Sequence, residues 1–412
     1  MSDNRARVFQ PGRIGPLELR NRTIRAAAFE GMCPGGRPSE RLIAFHAELA
    51  RGGVGMTTVA YASVTRTGRT FEHQLWMDDG ALPGLRRLTD AVHREGAAAS
   101  IQLGHGGNMA DRDVNGLRCI GPSAVFNLFG LARPRAMTEP QIEELIEAFG
   151  RSVALAREAG FDAVEIQAGH GYLISQFLAP HTNRRKDRWG GSLRNRARLA
   201  RRVVARAREE AAGRLAVLVK TNLRDGFPGG NDLSQNLELA RMLEQSGAHA
   251  LVLSGGFVSK CPMYLMRGEV PLREMAASQD SLLRKTGLVL FGKLVVKAYP
   301  FSEAFFLQDA LQVRQQVRLP LVLVGGLKTL ETIEDVLSRG FDFVAMARAL
   351  FREPDFVNRL QRGEARASLC EPCNMCMATM YYGEAVCPEI EKAAAAAAAA
   401  GEAPAETEAP AD

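Results

Sequence analysis

The sequence predicts a closed (β/α)8 barrel, and three observations carry that expectation. From about residue 20 onward, eight short β-rich runs alternate with amphipathic helical patterns, which is the pattern of parallel βα units. No G-x-G-x-x-G opens a helix after the first strand, which weighs against an open doubly wound sheet. The 412 residues could make one large domain or several small ones, and barrels routinely exceed ~200 residues in a single domain.

The strands fall, in order, at Thr23 to Ala27, Met56 to Ser63, Ala98 to Leu103, Ala163 to Gln167, Ala216 to Thr221, Ala250 to Ser254, Leu321 to Val324 and Phe343 to Ala347. A helical pattern follows each. The clearest is Glu139 to Gly160, where Ile142, Leu145, Ile146, Phe149 and Val153 keep i, i+3, i+4, i+7 spacing and Gly160 ends the run. Two connections, Gly106 to Glu139 and Gly255 to about Pro300, far exceed the ~2–6 residues usual after a barrel strand, as lids or substrate walls do. The second carries Cys261, Met263, Tyr264, Leu265 and Met266, either an apolar substrate wall or residues that pack the loop onto the barrel. The barrel is expected over residues 8–366, followed by a cysteine-rich segment over 367–388. Residues 389–412, with the alanine run Ala393 to Ala400 and GEAPAETEAPAD after it, have nothing to bury and are expected to be a disordered tail.

Composition narrows the class. With 46% hydrophobic and 24% charged residues the chain has ordinary globular usage, and no apolar run approaches the ~18 residues of a membrane span. The nearest, LVLFGKLVV at Leu288 to Val296, is short and carries Lys293; it is expected to be buried. The N-terminus MSDNRARVFQPGRIG has no apolar core behind its charges, hence no signal peptide, and the cytoplasm follows. A net charge of +6 raises the question of nucleic acid. The densest basic stretch, Arg184 to Arg208, has Leu193, Ala197, Ala200, Val203, Val204 and Ala207 in a helical apolar stripe, so its arginines fall on a solvated face. The expected partner is a small molecule, with neither nucleic acid nor membrane; a homo-oligomer is left open. Seven cysteines in such a chain argue against a disulfide framework.

A barrel does its chemistry where strands end. The strand-end residues are Gln102 and His105; Gln167, His170 and Tyr172; Lys220 and Asn222; Gly325 and Gly326; and Arg348. VGGL and AMARAL close the last two strands, the place where barrels commonly hold phosphate on glycine-rich backbone.

The run EIQAGHGYLISQFLAPHTNRRKDRWGGSLRNRARL resembles the signature of the Old Yellow Enzyme (NADH:flavin oxidoreductase) family. The resemblance continues in PLELRNRTIRAAAFEGM, IQLGHGG, MTEPQI and the closing Gly-Gly and Ala-Arg pairs, and covers roughly residues 8–387. It implies a barrel that holds FMN non-covalently, is reduced by NADH or NADPH, and passes hydride to an activated alkene. It further implies that Gln102 hydrogen-bonds the pyrimidine edge of the flavin and Lys220 stands near N1 and O2, where a cation stabilises the reduced anion. Gly325, Gly326, Ala347 and Arg348 would hold the phosphate; Ala27, Ala28 and Tyr61 would line the flavin. Gln167 and His170 would grip the substrate's carbonyl oxygen, and Tyr172 would be the proton donor. Related chemistries on the same scaffold, a dehydrogenase or demethylase or a dienoyl-thioester reductase, and a non-catalytic flavin-binding module, are the alternatives.

The sequence departs from the family pattern in two places. Gln167 stands where His is common, and Ala28 and Phe29 stand where a Thr or Cys usually donates to flavin O4. In addition, Cys370, Cys373, Cys376 and Cys387 form C-x2-C-x2-C-x10-C, a spacing that suits a [4Fe–4S] cluster or tetrahedral zinc. It resembles the cluster segment of 2,4-dienoyl-CoA reductase and trimethylamine dehydrogenase, although the last spacing is slightly short and the site could equally be an empty vestige.

Overall fold

In the computed structural model, which describes residues 6–128, 130–277, 282–379 and 383–392, eight parallel strands close on one another. They are β1 (Thr23–Arg25), β2 (Met56–Ser63), β3 (Ala98–Gly104), β4 (Ala163–Gln167), β5 (Ala216–Asn222), β6 (Ala250–Ser254), β7 (Leu321–Val324) and β8 (Phe343–Met346). Each pairs with its sequence neighbours and β8 pairs with β1, completing the expected barrel. The first and last strands end short of their expected limits, so Ala27 and Ala28 belong to the loop over the barrel mouth.

Alternation along each strand divides the core into two. On β4, Val164 and Ile166 face the helices while Ala163 faces the barrel axis; successive side chains point to opposite faces. Small and branched residues fill the axis, including Ala216, Leu218, Ala250, Val252, Val322 and Ala345. An antiparallel ribbon of Gly12–Ile14 with Leu17–Leu19 inserts Ile14 and Leu19 beneath them. The floor is therefore closed, and only the C-terminal ends of the strands are open to ligands.

The outer layer comprises α1 (Glu40–Arg51), α2 (Leu82–Arg94), α3 (Glu139–Glu158), α4 (Arg198–Ala211), α5 (Leu233–Gln245), α6 (Leu307–Arg314), α7 (Leu330–Ser338) and α8 (Phe356–Arg362). Their starts are chemically marked. Thr138 with Gln141 makes a capping box for α3, and Asp232 with Gln235 makes one for α5, each satisfying amide N–H groups that have no partner within the helix. On α4, Ala200, Val203, Val204 and Ala207 are buried as the stripe requires.

Two expectations are corrected. Leu288 to Val295 are not a buried segment but part of the helix Leu282–Val295, with Val289, Leu290 and Phe291 exposed by 66%, 67% and 58%. That helix lies outside the helical layer, with Gly287, Leu288 and Gly292 on the cleft above the barrel mouth. Residues 388–392 are helical, so residues 389–392 are not disordered as expected; residues 393–412, the alanine run included, lie outside the described residues.

Candidate functional site

Strand register assembles the centre of the site. Gln102 on β3 stands opposite Glu165 on β4, and Gln167 on β4 stands opposite Lys220 on β5. Two-residue periodicity turns Glu165 and Gln167 alike toward the axis. Glu165 Oε1 accepts from Gln102 Nε2 at 2.5 Å and from Lys220 Nζ at 2.8 Å. Gln167 Nε2 donates to Gln102 Oε1 at 3.3 Å, and its own Oε1 accepts from the Gly169 amide at 3.1 Å. Lys220 Nζ also reaches the carbonyl of Ala27 at 3.4 Å. These side chains form a connected polar floor, buried except for the surfaces of Gln102, Gln167 and Lys220 that line a cleft of about 2240 Å³.

After β4 the chain turns sharply. His170 has φ +59° and Gly171 has φ +80°, a backbone region that non-glycine residues occupy only when held there. Here Asn222 Oδ1 accepts from the His170 amide at 3.0 Å, and the His170 carbonyl accepts from the Val258 amide at 3.0 Å. The turn delivers the His170 and Tyr172 side chains to the cleft. His170 Nε2 is 2.8 Å from Ser254 Oγ at the end of β6. Burial, with Lys220 adding to it, pushes the imidazole down to about 3, so it is neutral across the physiological range. The Tyr172 ring packs on that of Tyr61 at 4.8 Å. Tyr61 hydrogen-bonds Thr70 through its phenol, and burial raises that phenol to about 12.

The expected cofactor residues line the same cleft: Ala27, Ala28, Tyr61, Gln102, Lys220, Gly325, Gly326, Ala347 and Arg348. Gly325 and Gly326 have φ +125° and +74°, values that require glycine there. Arg348 Nη1 donates to Asn374 Oδ1 at 2.6 Å and to the Arg267 carbonyl at 3.1 Å. The β8 strand end is thereby tied to the cysteine segment and to the long loop after β6. Phe29 stacks on Phe71 at 4.4 Å. These residues fit a flavin: a polar floor with one cation for its pyrimidine edge, and glycine backbone with an arginine at the far side.

Two strand-end residues are not in the cleft. His105 is buried beneath the turn after β3, where its Nδ1 accepts from the Gly107 amide at 3.0 Å, and burial pushes it down to about 4. Asn222 acts from behind, bonding the His170 amide and, through Nδ2, Asp225 and the Gly256 carbonyl.

The four C-terminal thiols are neighbours, and Cys370 and Cys376 reach the cleft. Burial, helped by the other thiols and opposed by Arg348, raises Cys370 to about 11 and Cys376 to about 12. Among the described residues, however, no three His, Cys, Asp or Glu side chains converge to hold a metal ion. No chemistry is therefore assigned to a metal there.

A barrel with a polar, cation-bearing floor and phosphate-suited glycines defines a flavin oxidoreductase. The family model for the NADH:flavin oxidoreductase / NADH oxidase family matches residues 7–256, and the chain belongs to that family. It is an FMN-dependent oxidoreductase that draws on NADH or NADPH. It is 47% identical over 377 residues to a 4,4'-dithiodibutanoate disulfide reductase of Rhodococcus erythropolis, covering 91% of this chain and 93% of that one. It is 32% identical over 370 residues to a metal reductase of Desulforamulus reducens, covering 90% of this chain and 50% of that protein; the chain spans about half of that longer relative. Among solved structures, the old yellow enzyme homologue of Zymomonas mobilis superposes with a TM-score of 0.69 at 23% identity, covering 88% and 94% of the two chains. That likeness shows the shared barrel. No helix among the described residues is long and apolar enough to cross a membrane.

Proposed function

We propose that the chain reduces a carbon–carbon double bond conjugated to a carbonyl group, at the expense of NADH or NADPH. The observation that carries this reading is the convergence of Gln167, His170 and Tyr172 on one side of the cleft, beside the buried Lys220. Bound FMN, once reduced, would supply the hydride that reaches the β-carbon. Gln102 and Lys220 would hold its pyrimidine edge, Gly325, Gly326, Ala347 and Arg348 its phosphate, and Ala27, Ala28 and Tyr61 would line it. Gln167 and His170 donate to the carbonyl oxygen as negative charge gathers on it. With the Ser254 hydroxyl as the donor to Nε2, neutral His170 would carry its ring proton on Nδ1 for that purpose. Tyr172 gives its phenolic proton to the α-carbon and recovers one from solvent. The substrate is a small molecule and the enzyme is cytoplasmic.

The 47% identity to a disulfide reductase across nearly the whole chain favours a second reading. There NAD(P)H and one proton convert a disulfide to two thiols, and Tyr172 protonates the departing sulfur. One experiment separates the two. Protein reduced anaerobically with NADPH is mixed with cyclohexenone or with a small organic disulfide, and reoxidation of the flavin is followed by its absorbance. The first reading expects fast reoxidation by the enone; reoxidation by the disulfide alone replaces it with the second, and reoxidation by neither refutes both.

A further inference from the structure

Three guanidinium groups crowd one indole at the rim of the cleft. The Arg37 and Arg69 guanidinium carbons lie 4.7 Å from the centre of the Trp76 ring, and that of Arg66 lies 5.6 Å away. Among the described residues, Arg37 alone of the three has a counter-ion, Asp78, at 2.7 Å. Among the described residues no carboxylate comes within ion-pair distance of Arg66 or Arg69. Arg69 is the informative one, because its side chain is only 6% exposed. Its Nη2 and Nε donate to the carbonyls of Val114, at 3.2 Å, and Arg66, at 3.4 Å, and neutral carbonyls leave the charge uncompensated. A buried arginine is ordinarily paired, and an unpaired buried charge is costly to keep. Burial and the two neighbouring guanidiniums weaken its hold on its proton, with the exposed Glu72 the only group opposing them.

Arg66, Arg69 and Trp76 all line the cleft that holds Tyr172. Arg69 directly precedes Thr70, whose hydroxyl bonds Tyr61, and the Tyr61 ring packs on Tyr172. The cluster is built on the loop after β2, two strands round the barrel from β8 and Arg348, and so lies apart from the flavin phosphate residues proposed above. Arg112, Arg118 and Arg133 extend the positive rim from the loop after β3, against Asp111 and Asp113.

We propose that Arg66 and Arg69, backed by Trp76, form a subsite for the anionic end of a molecule whose reacting group lies at Tyr172. The shared chemistry is a carboxylate or phosphate accepting from guanidinium N–H groups over an aromatic floor. Two sources can present it: the tail of the oxidising substrate or the extra phosphate that distinguishes NADPH from NADH. The carboxylate-tailed substrate is the one assigned here, and it rests on the reading of the cleft as the reaction site.

The test uses FMN-loaded enzyme and a matched pair of probes, an enone with a terminal carboxylate and its methyl ester. The wild type should favour the acid in kcat/KM, and Arg66→Gln and Arg69→Gln should each lower the acid-to-ester ratio about tenfold, mainly through KM, as loss of a charge-assisted hydrogen bond does. Arg66 is exposed, so its variant remains interpretable if the Arg69 variant misfolds. A fall in the NADPH-to-NADH ratio with the acid-to-ester ratio intact would overturn the substrate assignment and give the subsite to the coenzyme phosphate. No change in either ratio would overturn the subsite altogether. Without turnover, butanoate and inorganic phosphate should perturb the absorbance of bound flavin saturably in the wild type and not in the Arg66 variant. That readout stands even if neither enone reacts, in which case the ene-reduction reading fails and the subsite does not.

Discussion

Lys220 Nζ lies 2.8 Å from Glu165 Oε1, with the two side chains 2% and 4% exposed. The cation expected to steady a reduced flavin is thus partly neutralised by a carboxylate on the adjacent strand. Two opposed predictions follow from the charges. Lys220→Met leaves Glu165 as an uncompensated anion in the floor of the proposed flavin site and should lower the flavin's reduction potential and its affinity. Glu165→Gln leaves the cation free and should raise the potential. For a two-electron couple, each ~1.4 kcal/mol of charge interaction moves the potential by about 30 mV. Either change breaks a buried pair, which costs about 3–5 kcal/mol of stability, so potentials should be measured by dye equilibration on protein verified as folded and flavin-loaded. Shifts of the same sign in both variants would refute the assignment.

Tyr172 is predicted to act on one half-reaction alone. Tyr172→Phe retains the ring that packs on Tyr61 at 4.8 Å and removes the proton. General acid catalysis contributes about 10²–10⁴ in rate. Stopped-flow reoxidation by the enone should slow by at least about 10²-fold, while reduction by NADPH keeps its rate. Equal slowing of both halves would assign Tyr172 to binding geometry instead.

The barrel was legible because its signal repeats: eight runs with period two between helical stripes leave few other topologies, and β2, β4, β6 and β7 match their expected bounds. That Gln167, His170 and Tyr172 share one cleft was legible because they are five residues apart at most. What escaped notice depends on distant pairing. Glu165 shares a strand with Gln167, but its partners are 63 and 55 residues away, and a strand glutamate alone carries no signal. Ser254 closes an apolar run and meets His170 from two strands round the barrel. His105 misled because strand-end position was taken as cleft position; the turn at Gly106 and Gly107 folds it under. The exposed helix Leu282–Val295 misled because an apolar run was assumed to have a layer available to bury it.

Gln167→Ala should weaken ene-reduction without affecting flavin reduction by NADPH. The amide is oriented by Gly169 and Gln102, so its loss removes one positioned donor, typically worth about 10²–10³ in rate. His170→Ala should cost a similar factor, and the double variant less than the product, because both donors serve one oxygen. Steady-state kcat for the enone checks this; strictly multiplicative losses would mean the two side chains act at different atoms.

Acid stability follows from histidines held neutral. His105 and His170 are pushed down to about 4 and about 3, chiefly by burial, whereas the unfolded chain protonates them near 6.5. Between those values the unfolded state binds more protons, so the contribution is fully present above about pH 6.5 and is lost as pH falls toward 4. Asp225 works in the opposite direction: burial raises it to about 6, so the native state holds its proton more tightly between about 4 and 6 and the group favours the acid side. With His249 also pushed down to about 4, chiefly by burial, three histidines outweigh one aspartate, and Tm should be flat above pH 7 and fall as the pH drops from 6.5 to 4.5. His105→Asn, which keeps an acceptor for the Gly107 amide but no titrating group, should flatten that slope. A variant that melted with the same pH dependence as the wild type would show that the acid sensitivity arises elsewhere.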